Sequence, residues 1–196
     1  MVMKHFLMKT MKTISKTLLV LAVIVFTSAN LLITGDSKLE SDTKAALVAD
    51  WERAKAFSLE YIDAMPEDGM SYKPNESVRS FAAQFLHIAQ GNIGLVANGT
   101  GAERIHTDVP NFEAAEKFQS KTALRALTVE VYDWCIEGIK NMDMSKADEV
   151  VGPNEQFSFP RMEWIKKGFE HQTHHRGQTS IYLRMKGIAP PAAKLF

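Results

Sequence analysis

At 196 residues and 45% hydrophobic side chains, the chain is long enough for one domain with a full core plus an appendage. Its formal charge of zero is unevenly shared: residues 1–35 hold Lys4, Lys9, Lys12 and Lys16 and no acid, so the remainder is mildly acidic. No basic run is available to follow a phosphate backbone, which argues against nucleic-acid binding.

The N-terminus reads as an export signal. A basic segment precedes the uncharged run "LLVLAVIVF" (18–26), and Thr27 and Ala29 are small enough for a signal-peptidase site, with cleavage expected after Ala29. The alternative is an uncleaved anchor. Its apolar stretch, Leu18 to Ile33, is 16 residues long and broken by Asn30, against the roughly 20 a spanning helix needs. Residues 1–35 are therefore assigned as signal peptide or membrane anchor and 36–196 as the folded domain. The protein is expected to be exported, periplasmic or envelope-anchored, and to touch membrane only through an uncleaved N-terminal segment. Cys135 is the single cysteine, which excludes a disulfide within one chain and reads as a buried thiol between Trp134 and Ile136.

Four segments with helical periodicity follow. In the first, from about Ser41 to Ala64, Leu47, Trp51, Ala54, Tyr61 and Met65 share a stripe, and "MPEDG" ends it. The second begins near "PNESVRS", where Asn75 or Ser77 can cap it, and fades at "ANGTG". The third opens with Ser120 as cap, places Leu124, Leu127, Val131 and Trp134 at helical spacing, and ends around Asn141. The fourth starts after Pro160, and Gly187 stands where a left-handed residue would close it, with Pro190-Pro191 beyond. No segment sustains the alternation of a strand, so strands are incidental. The expected fold is all-α: an antiparallel four-helix bundle preceded by the N-terminal signal or anchor helix. The long connections at about 99–119 and 143–160 are candidates to cover a site, and Phe157 and Phe159 in the second are expected either to fold back as a lid or to plug the end of the bundle.

At about 100° per residue, His171 and His175 fall about 20° either side of Trp164, on the inward face of the fourth helix. Imidazoles one turn apart on one face can grip one metal ion. His174 turns toward the charged face and is read as a rim histidine. In the second helix His87 shares its face with Ser80, Ala83, Gln84, Gly91 and Gly94. A helical glycine costs about 1 kcal/mol relative to alanine, so the two glycines point either to room around His87 or to close helix packing. The competing reading is three core histidines satisfied by Gln84, Gln178, Tyr182 or backbone carbonyls. No H-E-x-x-H, no Glu-x-x-His repeat, no phosphate loop and no G-x-S-x-G elbow is present.

From about residue 42 to 191 the chain resembles the DinB-like (DinB/YfiT) superfamily of bacterial four-helix-bundle metalloproteins. Its most specific stretch is "HQTHHRGQTSIYLRMKGIAPP", similar to the family pattern of His, three residues, then His-Arg-Gly-Gln. "AMPEDGMSYKPNESVRSFAAQFLHIAQGN" resembles the family's turn and second helix, and "SKTALRAL" the start of its third. The resemblance implies His87, His171 and His175 as ligands of a divalent zinc, nickel or iron ion, the three residues that helical angles also select. It implies thiol-transferase or isomerase chemistry for some relatives, and a homodimer. An export segment departs from the usual cytoplasmic family member.

Three neutral nitrogens leave the charge of the ion uncompensated and at least one position open. The expected function is a metal-dependent enzyme acting on a small molecule, activating water or a thiol in hydrolase or thiol S-transferase type chemistry. Gln84, Gln178 and Tyr182 are expected to support the ligands, Arg176 to form a structural ion pair, and no catalytic base is identified. The alternative is a metal- or ligand-binding envelope protein without turnover.

Overall fold

The computed structural model describes residues 38–195; the export segment expected at 1–35 lies outside them. Helix α1 is described over 38–64, α2 over Phe81–Thr100, α3 over Lys121–Asn141 and α4 over Arg161–Met185. The bundle is the compact unit that begins at Lys44. Among the described residues, no helix is long and apolar enough to cross a membrane.

The expected stripes form the core. Trp51, Met65, Leu124 and Val131 have no accessible surface, and Ala54, Tyr61 and Leu127 are buried beside them. Apolar burial at this scale, about 25 cal/mol per Å², is what holds the four helices together. Cys135 belongs to the same core, where burial pushes its thiol well above the ordinary range and leaves it no nucleophilic role.

Helix ends follow local chemistry. Ser120 caps α3, its hydroxyl accepting from the Ala123 amide. The cap of α2 is Ser80, which accepts from the Ala83 amide, and not Asn75 or Ser77. Those two are spent on each other: Asn75 Oδ1 accepts from both the amide and the hydroxyl of Ser77, closing the turn before the helix. At the end of α4, Gly187 (φ 75°) takes the left-handed conformation. Its amide bonds the Arg184 carbonyl and the next amide, of Ile188, returns to Leu183, so two carbonyls at the helix end are satisfied.

The helix directions depart from a uniformly antiparallel bundle. Between α2 and α4 contacts run in opposite order, from Gln84 with His175 to Gly91 with His171 and Gly99 with Ile165, so this pair is antiparallel. Helices α1 and α3 are antiparallel too, joined by Lys55–Asp133 and Arg125–Asp63 ion pairs of 2.6 and 3.0 Å. Between α2 and α3, however, Phe85 and Ala89 meet Thr128 and Tyr132 while Thr100 meets Gly138, and the order is the same in both. Helices α2 and α3 therefore run parallel, and residues 101–120 must cross the length of the bundle, which is why that connection is long.

The connection from α3 to α4 is a small hairpin, β1 (Val150–Asn154) paired antiparallel with β2 (Phe157–Pro160). Phe157 and Phe159 are about half exposed, so they act neither as a lid over the histidines nor as a plug. Phe159 stacks edge-on against Trp164, whose indole N–H donates to the Val151 carbonyl at 2.8 Å, and this pins the hairpin to the start of α4.

Gly99 shows where close packing requires a glycine. A β-carbon there would lie 2.6 Å from Ile165 Cγ1 and 2.8 Å from the Arg161 carbonyl oxygen, and the backbone atom cannot move aside. Overpacking costs about 1–3 kcal/mol, of which helix propensity returns about 1. Gly99→Ala is expected to lower the denaturant midpoint at unchanged m-value; a higher midpoint contradicts the packing argument.

Candidate metal centre

Helices α2 and α4 bring His87, His171 and His175 together. One ring nitrogen from each lies within 4.8 Å of the others, and ring centroids are 4.9, 4.5 and 4.6 Å apart for the three pairs. His87 Nε2 and His171 Nε2 are 3.1 Å apart. Gly91 makes the approach possible: a β-carbon at that position would sit 2.4 Å from Cε1 of His171. The glycine makes room for the histidine across the helix pair, rather than for His87 on its own helix. Gly94 has no neighbour within 4 Å, so no packing contact requires its glycine.

Hydrogen bonds fix which nitrogen of His175 carries the proton. The Tyr182 hydroxyl donates to the Arg79 carbonyl at 2.8 Å and so accepts from Gln84 Nε2 at 3.1 Å. Gln84 Nε2 also donates to Gln178 Oε1 at 2.8 Å. The Gln84 amide is thereby oriented, and its Oε1 must accept from Nδ1–H of His175, 2.9 Å away. The lone pair of neutral His175 is left on Nε2. All three residues singled out beside the histidines thus lie in one chain of bonds, but only Gln84 touches a member of the triad. Gln178 and Tyr182 act through it, and Gln178 Nε2 donates to the rim histidine, His174.

Glu113 does the same for His87. Its carboxylate Oε1 is 3.0 Å from His87 Nδ1, which as a partner of an acceptor must bear the hydrogen. Residues around Glu113 are built to hold it. Gln90 of α2 receives the Phe112 amide on Oε1 at 3.1 Å and donates from Nε2 to the Pro110 carbonyl at 2.9 Å. Phe112 is buried against His106 and Phe118. Asn111 caps the Glu113 amide, and Gln119 donates to its carbonyl. Arg79 Nε reaches both carboxylate oxygens at 3.0 Å. The crossing connection therefore supplies a site residue that sequence reading missed. Glu113 is one of several acids in an aperiodic loop, and its only sequence signal was the length of that loop.

Burial first, then repulsion from the neighbouring histidines, pushes His171 and His175 down to about 4 from the ordinary 6.5. His87 is lowered as well, by burial and then by the Arg79 charge, which together outweigh Glu113. Each imidazole is thus neutral at pH 7, the state that ligates metal. Between 6.5 and about 4 the unfolded chain binds protons that these two histidines refuse in the fold, so their contribution to stability falls as pH drops through that window and is spent below it. Denaturant midpoints of metal-free protein from pH 7 to 4 are expected to show this loss, with a smaller slope in His171→Ala. Equal slopes in both proteins contradict the assignment.

Three features fit a metal ion. The Nε2 lone pairs of His87 and His175 are left facing inward because their Nδ1 hydrogens are committed. The 3.1 Å nitrogen separation suits two ligands each about 2.1 Å from one ion. Gly91 cradles the third ring. His171 Nδ1 is buried without a partner, so of the three rings it alone lacks an outer hydrogen bond. Arg176, expected in an ion pair, has no carboxylate within reach among the described residues. It is buried, donates to Gln172 Oε1 and the Ala54 carbonyl, and lies over the Phe57 ring at 4.7 Å.

An open cleft of about 750 Å³ adjoins the triad, lined by Lys73, Ser77, Arg79, Gln84, Glu113 and Gln178 among others. Its lining includes Gln84 and Glu113, the partners of His175 and His87, and none of the three histidines.

Comparison with known proteins places the fold. The solved DinB-like protein from Bacillus cereus ATCC 10987 superposes with a TM-score of 0.61 at 18% identity, covering 76% of this chain and 95% of its own. A DinB-like protein from Bacillus subtilis gives 0.56 at 17% identity, covering 77% and 96%. At that identity the likeness shows the fold alone. No curated protein matches the chain. The DinB family model matches residues 39–196, four-fifths of the sequence, and the chain belongs to the DinB family.

Proposed function

We propose that this DinB family protein is an exported, metal-dependent enzyme whose ion is held by His87, His171 and His175. The observation that carries the reading is the convergence of three neutral imidazoles with two of their outer nitrogens already committed. A divalent ion on such a site supplies Lewis acidity that turns water or a thiol into a nucleophile near neutral pH. Zinc, nickel and iron all accept this donor set.

The chain's own residues do the rest. Glu113 and Gln84 hold two ligand rings in the required tautomer, and Tyr182 and Gln178 hold Gln84. The neighbouring cleft receives a small molecule. A binder without turnover is the second reading, favoured by one observation: Glu113, the carboxylate beside the triad, is engaged by both Arg79 and His87 and so is not free to act as a base. The two readings separate in a turnover panel of thiols with electrophiles and of hydrolysable esters and amides, run on metal-loaded full-length protein. The enzyme reading requires a product that forms with the ion and vanishes in His171→Ala. Metal bound at full occupancy without turnover of any member assigns the protein as a binder.

A further inference from the structure

The cleft beside the histidines has a charge pattern that selects its occupant. Arg79 spends only Nε on the protein, where it bonds both oxygens of Glu113. Among the described residues its two terminal amino groups have no hydrogen-bond partner, so the end of the fork is open. Lys73 lines the same cleft, is exposed, and has no ion pair among the described residues. The single lining carboxylate, Glu113, is already neutralised by Arg79 Nε. The remaining lining side chains are mostly uncharged and polar: Ser77, Ser80, Gln84 and Gln178, with Val78 and Ala83. An apolar ligand would leave the Lys73 ammonium and the open end of the Arg79 fork desolvated and unpaired.

The geometry points to an oxyanion-bearing small molecule as the occupant of this cleft, its carboxylate or phosphate gripped by the terminal amino groups of Arg79 and by Lys73. The inference rests on the metal-centre reading for its purpose but not for its binding energy. The planar end of a guanidinium matches two oxygens of a carboxylate or phosphate, and an ammonium adds a point charge beside it. The same Arg79 restrains Glu113, which orients His87, so the group that recognises the anion is two hydrogen bonds from a triad ring. Arg79 and Lys73 are thus specificity-determining residues, and neither is assigned a step in the chemistry.

The test uses full-length protein stripped of metal, so that coordination of the anion contributes nothing. Succinate, inorganic phosphate and the neutral isostere succinamide are titrated calorimetrically into the wild type, Lys73→Gln and Arg79→Lys, and nickel content after reloading is measured for each. Succinate or phosphate is expected to bind at least about tenfold more tightly than succinamide, since one charge-assisted hydrogen bond is worth at least about that factor. Lys73→Gln should lose about tenfold of this affinity while reloading nickel fully. Arg79→Lys, which keeps the charge and loses the fork, should also weaken the anion. Whichever of the two anions binds more tightly names the group. The inference is overturned if both anions bind no better than succinamide, or if neither variant weakens them. Failure of the wild type to take up nickel, zinc or iron sinks the metal-centre reading instead and leaves the anion result standing.

Discussion

Replacing Gly91 by alanine is expected to abolish or severely weaken metal binding while leaving the fold intact. The added β-carbon would lie 2.4 Å from Cε1, 2.8 Å from Nδ1 and 3.1 Å from Nε2 of His171. Helix backbone cannot retreat cheaply, but an imidazole turns about its side-chain bonds, so the ring moves and the triangle opens. The helix itself gains about 1 kcal/mol of propensity from the change. Stability and function therefore part company: the unfolding midpoint of metal-free protein should hold or rise, while metal affinity falls at least about a hundredfold with a ligand displaced. Chelator competition and denaturant unfolding on the same preparation check both halves. Gly99→Ala supplies the contrast, since its β-carbon meets backbone of α4 and leaves the histidines alone.

Glu113→Ala is expected to weaken the metal about 10- to 100-fold, the usual cost of removing a partner that orients a ligand histidine. The His87 ring would lose the acceptor 3.0 Å from Nδ1, and Arg79 would be left beside the site with no counter-charge. Glu113→Gln keeps an oxygen that can accept the same hydrogen but removes the charge, so its effect should be intermediate. An order of wild type, Gln, Ala in metal dissociation constant is the predicted result. If alanine binds metal as tightly as glutamate, the carboxylate merely caps a surface loop.

What the sequence made legible was whatever repeats with a helical period. His171 and His175 are four residues apart on a stripe anchored by Trp164, and burial of that stripe fixes where the rings point. His87 followed from the same reasoning on α2. The core stripe of α1, the Ser120 cap and the Gly187 terminus are likewise local, and each stands as expected. Misreadings came where a choice depended on a distant segment. Asn75, Ser77 and Ser80 all have cap chemistry, and only the fold decides that the last starts α2. Arg176 found carbonyl, amide and aromatic partners on other turns and helices instead of a carboxylate. The parallel course of α2 and α3 is a property of the crossing connection, which has no period to read. Glu113 is the costliest omission. Its role comes from Phe112 anchoring the loop and Gln90 clasping it, neither of which has a sequence signature.

The hairpin at 150–160 shows the converse. Val150-Val151 and Phe157-Ser158-Phe159 favour strand locally, and the two strands are joined by a turn at Glu155-Gln156. Being short and outside the bundle, they leave the architecture helical and merely tie α3 to the start of α4.

Metal content is the most direct test of the central claim. Full-length protein without tag histidines, loaded with nickel or zinc and desalted, should carry one ion per chain, and His87→Ala, His171→Ala and His175→Ala should each carry nearly none at an unchanged fold. Equal, substoichiometric metal in all four proteins would contradict the account and leave three half-buried histidines in an ordinary helical bundle.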